Sequence, residues 1–296
     1  MVPNPLLYTI AQHYRKIVEN KFGCSAATIP TASVMRDVNN TKNKKYQHCF
    51  TAVGSVYQFT RPGDVVWGPG LHVTFRNQFI RYDPTPRNFT LVGVRGPRTE
   101  QWIKKDMPML APNADPNVLP ESLPKGDPGS LIPRLFPSVC DAATMITKKT
   151  KFCLMPHYSH YAHLENYTQT MKLPFALIPP NGRDWQAVVG DICHCEYLTS
   201  SSLHGIILAE AFGIPAVWIP SGENKFKYLD YYEGLPSRAN MTGPYLGPLD
   251  DLVNTSMYPQ PIPPAEHHAY TQGILDSFPY QFFRTVPRQE ETSPSK

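Results

Sequence analysis

The 296-residue sequence has no uninterrupted run of about 18 apolar residues, so it predicts no membrane span. It also lacks G-x-G-x-x-G, Walker, H-E-x-x-H and G-x-S-x-G patterns, which argues against dinucleotide oxidoreductases, P-loop enzymes, zincins and the usual serine hydrolases. The formal net charge is only +4, and no basic block exceeds the KNKK run at 42–45. Nucleic acid is therefore not an expected partner, whereas a small anionic substrate fits this charge balance.

Cysteine is scarce, since six residues scattered over a chain of this length are too few for a disulfide scaffold. Cys193-His194-Cys195 resembles a metal motif but has no second ligand pair at zinc-like spacing, so we predict buried thiols and no metal site. The N-terminus lacks the basic start and apolar core of a signal peptide, which makes a cytoplasmic location the default expectation. A secretory lumen stays open if a targeting segment is missing, because five N-x-S/T acceptor sites are present: Asn39, Asn88, Asn166, Asn240 and Asn254.

What the sequence does contain is a regular alternation of short apolar strands and helices. A hydrophobic content of 41% with 18% charged residues is typical of a packed globular protein. Strands separated by helices of about a dozen residues predict βαβ units and parallel sheets, hence an α/β fold. We expect strands at 64–67, 89–94, 151–155, 175–178, 196–200 and 215–220, and divide the chain into a domain at 1–147, a domain at 148–285 and a mobile tail at 286–296.

The segment EYLTSSSLHGIILAEAFGIPAVWIP, at 196–220, is the most informative one. It predicts a buried strand, a serine-rich turn, an apolar helix that ends near Gly213, and another strand. His204 then lies in the first turn of a helix at the carboxyl end of a parallel strand. Ligands of open α/β sheets bind at that edge, and helix starts attract anions. His204 is therefore a candidate contact for an anionic substrate, although a structural histidine would give the same pattern.

Other cationic residues are also predicted at or just beyond strand ends, on the same side of an α/β domain. Arginine offers a planar fork that matches carboxylate and phosphate, while lysine offers a compact charge. Each has an alternative: Lys227, for example, would also fit a helix-face pair with Asp230 or Glu233. The candidates beside His204 are Arg95, Arg98, His157, Lys225 and Lys227.

Six segments between about 52 and 235 carry further information: AVGSVYQFTRPGDVVWGPGLH, VGVRGPRTE, GDPGSLIPRLFP, KFCLMPHY, EYLTSSSLHGIILAEAFGIPAVWI and KFKYLDYYEGL. Taken together, they resemble the polysaccharide pyruvyltransferases, and within them the exopolysaccharide type. They occur in the family's order, and SSSLHG followed by AEAFGIP is the most specific of them.

The resemblance implies two Rossmann-like domains that face each other across a cleft, as in GT-B glycosyltransferases. It also implies a reaction in which phosphoenolpyruvate donates its pyruvyl group to two hydroxyls of a sugar. A cyclic pyruvate ketal forms on the glycan and phosphate is released. Phosphoenolpyruvate is a co-substrate in this scheme, and no cofactor or metal is expected.

The resemblance also assigns residue roles. Arg95, from VRGP, is expected to bind the anionic groups of the donor, and His204, from SLHG, to contact the donor and transfer a proton. Lys225 is expected to contact phosphate, with Lys227 as its close rival. Ser202 stands where some relatives carry an arginine, and is counted with the expected substrate contacts Arg98 and His157.

Two other functions remain open at this point. A glycosyltransferase that uses a nucleotide sugar would have the same architecture, but no acidic residue is convincingly placed for a ribose. A non-catalytic glycan-binding relative would explain why the opening VPNPLLYTIAQHY departs from the family's usual first strand and loop. Binding of a nucleotide sugar, or donor binding without turnover, would distinguish these functions from pyruvyl transfer.

Overall fold

The structure, a computed structural model, describes residues 50–57, 60, 64–71, 89–106, 121–140, 150–180 and 184–280. It is built from helices and two parallel sheets, which confirms the α/β class. Three features of the sequence analysis lie outside the described residues: the opening VPNPLLYTIAQHY, the glycosylation acceptor sites at Asn39 and Asn88, and the tail at 286–296. The domain boundaries and the GT-B-like arrangement stay predictions.

The first sheet has three parallel strands in the order β1-β2-β3, where β1 is Phe50–Thr51, β2 is Val65–Trp67 and β3 is Thr90–Gly93. All three residues of β2 are buried, as expected for the central strand of a sheet covered on both faces. The strands predicted at 64–67 and 89–94 are therefore confirmed within a residue or two. Arg95 follows directly after this sheet, two residues beyond the end of β3.

The second sheet has four parallel strands in the order β5-β4-β6-β7. Their bounds are Thr150–Met155 for β4, Phe175–Leu177 for β5, Cys195–Ser200 for β6 and Ala216–Trp218 for β7. The chain goes to one side of β4 to form β5 and returns to the other side to form β6, so β4 and β6 flank a topological switch point. Met155 is paired with Ser200, and the two loops that follow therefore leave the sheet side by side.

Seven α-helices connect or cover these strands in the described residues. The predicted helix that carries His204 is confirmed. In chain order the helices are α1 Pro97–Gln101, α2 Ile132–Leu135, α3 Tyr161–Thr170, α4 Trp185–Cys193, α5 Leu203–Ala211, α6 Phe226–Tyr232 and α7 Pro264–Asp276. A π-helical turn, Trp102–Asp106, continues α1, and shorter 3₁₀ turns include Pro128–Leu131. No helix in these ranges is long and apolar enough to cross a membrane.

Helix α5 lies at the centre of the largest hydrophobic core. Every residue of it except His204 is buried, because its apolar side chains point in all directions around the helix axis. The Pro128–Leu131 turn packs on one side of it, where a methyl group on Gly129 would lie 3.5 Å from Ile207 Cγ2. This contact brings Asp127, at the start of the turn, to the same end of α5 as His204.

The prediction of buried cysteine thiols in Cys193-His194-Cys195 is wrong. Cys193 forms a disulfide with Cys140, and Cys195 forms one with Cys153, with a Cα–Cα distance of 5.9 Å in each pair. The second bridge joins neighbouring strands, β4 and β6. Sequence spacing concealed both pairs. Parallel strands bring together Cys153 and Cys195, 42 positions apart, whereas packing of a 3₁₀ turn on α4 brings together Cys140 and Cys193, 53 positions apart.

Candidate active site

The loops after β4 and β6 are tied together at the carboxyl edge of the second sheet. The His157 backbone N–H donates a 2.7 Å hydrogen bond to Ser201 Oγ. Ser200 Oγ donates to the Met155 carbonyl at 2.8 Å, and its oxygen accepts the Ser202 N–H at 3.0 Å. Ser202, at the N-cap of α5, is thereby fixed in an extended conformation, and the helix begins at the next residue. This bracing holds His204 at the switch point.

His204 occupies the first turn of α5, as predicted. Its side chain is 12% exposed, yet its Nε2 is buried and has no hydrogen-bond partner among the described residues. The pKa of the imidazole is lowered to about 3, chiefly by burial and further by three neighbouring groups: Arg95, Lys227 and His157. The ring is therefore neutral at physiological pH in the free protein, and it becomes a proton donor only after it has accepted a proton.

Arg95 is fully buried and is held by two other side chains. Its Nε donates to Asp230 Oδ2 at 3.1 Å, and its Nη1 donates to Ser55 Oγ at 3.0 Å. The remaining Nη2 is buried with no partner in the described ranges. A buried guanidinium with one free edge is suited to receive an anionic ligand, because an unpaired buried donor is costly.

Asp230, in α6, positions this arginine, although the sequence offered it only as a partner for Lys227. Besides Arg95 it accepts hydrogen bonds from the Thr99 N–H at 2.8 Å and from Thr99 Oγ1 at 2.7 Å. Two glycines permit the close approach. A Cβ on Gly70 would collide with the Arg95 guanidinium, and a Cβ on Gly96 would collide with the Asp230 carbonyl. The glycine of the GPG segment, Gly70, therefore leaves room for the Arg95 guanidinium, and the glycine of RGP, Gly96, leaves room for the Asp230 backbone.

Of the two lysines, Lys227 is the one that affects the electrostatics of His204. It is 14% exposed, forms an ion pair with Glu223, and lies 5.1 Å from the Tyr228 ring centroid. Burial lowers its pKa, while Glu223 opposes the shift. Lys225 stands at the exposed N-cap of α6, where its ammonium is near Gly243.

His157 and Arg98 have different surroundings. His157 Nε2 lies 3.4 Å from Glu223 Oε1, and its Nδ1 is 2.7 Å from Ser159 Oγ, so the ring borders the same group of charges as Lys227. Arg98 donates two hydrogen bonds to Glu233, at 2.6 and 2.9 Å, on the surface between α1 and α6. The structure therefore associates His157 with the His204 region and gives Arg98 the role of a surface link.

The sequence analysis missed Asp127. This carboxylate is fully buried, and its Oδ1 accepts the Gly129 N–H at 2.9 Å. Its Oδ2 has no hydrogen-bond partner in the described residues and lies 4.0 Å from His204 Nε2. Burial raises the pKa of Asp127 to about 6, although Arg95 and the Gly129 N–H act in the opposite direction. The only signal in the sequence was its place in GDPGSL, where an aspartate before proline and glycine is typical of a turn.

The site is therefore a buried group of balanced charges rather than a cluster of cations alone. Arg95 and Lys227 are accompanied by three carboxylates, those of Asp127, Glu223 and Asp230. Within the described ranges no group of three or more His, Cys, Asp or Glu residues could hold a metal ion. The arrangement offers a free guanidinium edge to an anion, with a histidine and a carboxyl group nearby that can exchange a proton.

Comparison with known proteins adds the family. A family model described as polysaccharide pyruvyl transferase matches residues 57–223, which is more than half of the chain. The matched range contains Arg95, Asp127, His157 and His204, and it ends before Lys227 and Asp230. No curated protein and no solved structure matches the chain.

Proposed function

The chain belongs to the polysaccharide pyruvyl transferase family, and on that premise we propose that it transfers the pyruvyl group of phosphoenolpyruvate to a sugar of a polysaccharide. The product is a cyclic pyruvate ketal across two sugar hydroxyls, and phosphate is released. No cofactor takes part in this scheme. We propose further that two Rossmann-like domains face each other in a GT-B-like manner, because Arg95 follows a strand of the first sheet and His204 follows a strand of the second.

The observation that carries the donor is the free Nη2 of a completely buried Arg95. Asp230 and Ser55 hold the other nitrogens, so the guanidinium is oriented before any ligand arrives. Phosphoenolpyruvate carries a carboxylate and a phosphate, and either can accept from a guanidinium edge. Lys227 adds a second positive charge close to His204, which suits the group that leaves as phosphate.

The proposed chemistry needs one proton at carbon and two protons removed from oxygen. The C2=C3 electron pair of the donor takes a proton at C3, and C2 becomes cation-like. One sugar hydroxyl attacks C2 and loses its proton. The C2–O bond to phosphate then breaks, with both electrons leaving on the phosphate, and the second hydroxyl closes the ketal. Of the two protons lost by the sugar, one balances the new C3–H bond and the other leaves with phosphate.

His204 is the residue that we assign to proton transfer. Its pKa of about 3 in the free protein keeps the imidazole unprotonated but makes it a weak base, because a base is most effective when its pKa is near the working pH. A bound anion raises this pKa, because its negative charge opposes the effects of Arg95 and Lys227. With the donor bound, the protonated imidazole gives its proton to C3, and the neutral ring then takes the proton of the attacking hydroxyl. Both steps therefore depend on the donor being present.

The experiment is a thermal-shift panel with phosphoenolpyruvate, inorganic phosphate, UDP, CMP and common nucleotide sugars. The stabilisation depends on ligand concentration relative to Kd, so it ranks these ligands directly. We compare wild type with Arg95→Lys, which keeps the charge but loses the fork, and with Arg98→Ala, an exposed arginine three residues away. We expect phosphoenolpyruvate to stabilise wild type and Arg98→Ala and to lose most of this effect in Arg95→Lys.

Other outcomes have definite meanings. Stabilisation by a nucleotide sugar instead of phosphoenolpyruvate would replace this proposal with a glycosyltransferase. Donor binding without phosphate release, in the presence of a panel of polysaccharides, would indicate a non-catalytic relative. Equal loss of binding in the Arg95 and Arg98 variants would show that the buried edge of Arg95 is not the donor site.

A further inference from the structure

We propose that Asp127 is the positioning residue of His204: its free oxygen accepts the His204 Nε2–H and leaves Nδ1 to exchange protons with the ligand. This inference rests on the proposed function, because it assigns a partner to the proton-transferring histidine. It adds a residue whose place before proline and glycine in the sequence had indicated only a turn.

The first argument is that two buried polar atoms without partners face each other. Asp127 Oδ2 and His204 Nε2 both lack hydrogen bonds in the described part of the chain, and they are 4.0 Å apart. Buried polar atoms in native proteins are nearly always paired, so two unpaired atoms at this distance call for an explanation. A small closing movement brings them within hydrogen-bond distance and satisfies both.

The second argument is that the other contacts of Asp127 fix its position without using the free oxygen. Oδ1 caps the Pro128–Leu131 turn through the Gly129 N–H, and the Asp127 backbone N–H donates to Tyr270 Oη at 3.0 Å. The turn itself is packed against α5, the helix that carries His204. The free Oδ2 is consequently held on the buried side of the imidazole.

The third argument concerns which side of the ring meets the ligand. His204 retains 12% of its side-chain exposure, while Nε2 itself is buried. The accessible part of the ring is therefore away from Asp127. A carboxylate on the buried nitrogen fixes the tautomer with the proton on Nε2, which makes Nδ1 the basic atom at the accessible side.

The charges around Asp127 determine at which pH its carboxylate can accept a hydrogen bond from the neutral or the protonated His204 ring. Arg95 favours the carboxylate form, whereas burial and Asp230 favour the neutral acid, and the pKa lies near 6. At pH 7 to 8 the carboxylate form predominates and stabilises the imidazolium that forms when His204 takes a hydroxyl proton. Below pH 6 Asp127 is protonated, and this stabilisation is lost.

The first test reads the tautomer and does not depend on turnover. Asp127→Asn keeps an oxygen for the Gly129 N–H and places an NH2 group toward Nε2, which favours the opposite His204 tautomer. We compare ¹⁵N imidazole shifts of ¹⁵N-histidine-labelled wild type and Asp127→Asn at pH 7.5, with the His204 signals identified by their absence in His204→Gln. We expect Nε2–H in wild type and Nδ1–H in the variant. The same tautomer in both proteins would overturn the inference.

The second test uses turnover of phosphoenolpyruvate with a panel of polysaccharide acceptors that carry no pyruvyl group, followed by phosphate release. We expect Asp127→Asn to lower kcat by roughly 10²- to 10⁴-fold, as for other histidines left in the wrong tautomer, with little change in KM for the donor. The acid limb of the pH profile should disappear in Asp127→Asn and return in Asp127→Glu, which restores a carboxylate. Unchanged kcat and pH profile in Asp127→Asn would refute the positioning role. Failure of wild type to bind phosphoenolpyruvate would instead refute the proposed function, while the tautomer result stands by itself.

Discussion

The two sheets of the protein are stabilised in different ways. The second sheet has strands of three to six residues, which helices α3, α4 and α5 connect to one another. One disulfide lies within this sheet, and the other lies next to it. The described strands of the first sheet are two to four residues long and receive contacts from helices that come much later in the chain. Trp67 of β2 donates to the Ile274 carbonyl at 3.2 Å and to Ser277 Oγ at 3.0 Å.

The difference teaches how the site depends on distant parts of the chain. His157 and His204 follow strands β4 and β6 of the second sheet, and hydrogen bonds between the two loops hold them. Arg95, in contrast, is oriented by an aspartate 135 positions later. Loss of Asp230 can therefore displace Arg95, while the serine hydrogen bonds that hold the start of α5 do not involve Asp230. The following changes test separately the long-range contact that orients Arg95 and the contacts that hold the second sheet and His204.

The largest effect is expected from Asp230→Ala. It leaves a buried arginine without its counter-ion and removes two hydrogen bonds to Thr99. Loss of one partner of a buried ion pair costs about 3–5 kcal/mol in the free energy of unfolding. Urea unfolding followed by tryptophan fluorescence measures it. Glu233→Ala is the matched control, since it removes an exposed carboxylate from the C-cap of α6 and should cost at most about 1 kcal/mol. Equal costs would mean that the buried pair does not hold the first sheet.

A smaller effect is expected when the second sheet loses its covalent bridge. The Cys153→Ala, Cys195→Ala double variant removes the link between β4 and β6. A disulfide typically contributes about 2–4 kcal/mol, through restriction of the unfolded chain in one widely used account. Urea unfolding of the oxidised wild type and of the variant measures the difference. Adding a reductant should lower the stability of the wild type further than that of the variant. A wild type whose stability is indifferent to reductant would contradict the bridge.

The smallest effect is a pH dependence that belongs to His204. Its folded pKa of about 3 is below its unfolded value of about 6.5, so the unfolded state binds more protons between these values and acid destabilises the protein. At pH 5.5 the wild type should lose about 1.4 kcal/mol relative to pH 8 through this residue alone. His204→Gln should lack this component. Titrating groups that do not contact His204 cancel in the difference, and repeating the comparison in an Asp127→Asn background removes the contribution of Asp127. Parallel pH profiles of stability for the two proteins would show that the pKa of His204 is the same in the folded and unfolded states, which would contradict its lowered pKa.

Sequence patterns predicted the local elements well because each has a short-range cause. The apolar run after SSSLHG produces a buried helix, and the strand before it produces β6, which fixes His204 at a strand end. Arg95 was likewise placed correctly by the strand before it and by Pro97 at the start of α1. Pairing partners were predicted poorly: Lys227 pairs with Glu223, Glu233 with Arg98, and Asp230 with Arg95. Lys227 finds its partner four residues earlier in the chain, whereas Arg95 and Arg98 pair with residues that only the fold brings close.

The sequence by itself determined the α/β class, the strand-end positions of Arg95 and His204, and the family resemblance. These depend on periodicity and on motifs that are local in the chain. Only the tertiary structure decided the disulfide pairs, the orientation of Arg95 by Asp230, and the approach of Asp127 to His204. Each of these joins residues at least 42 positions apart. The physical reason is that a polar side chain buried by folding must find its partner in space, and the spacing of residues along the chain does not specify which partner that is.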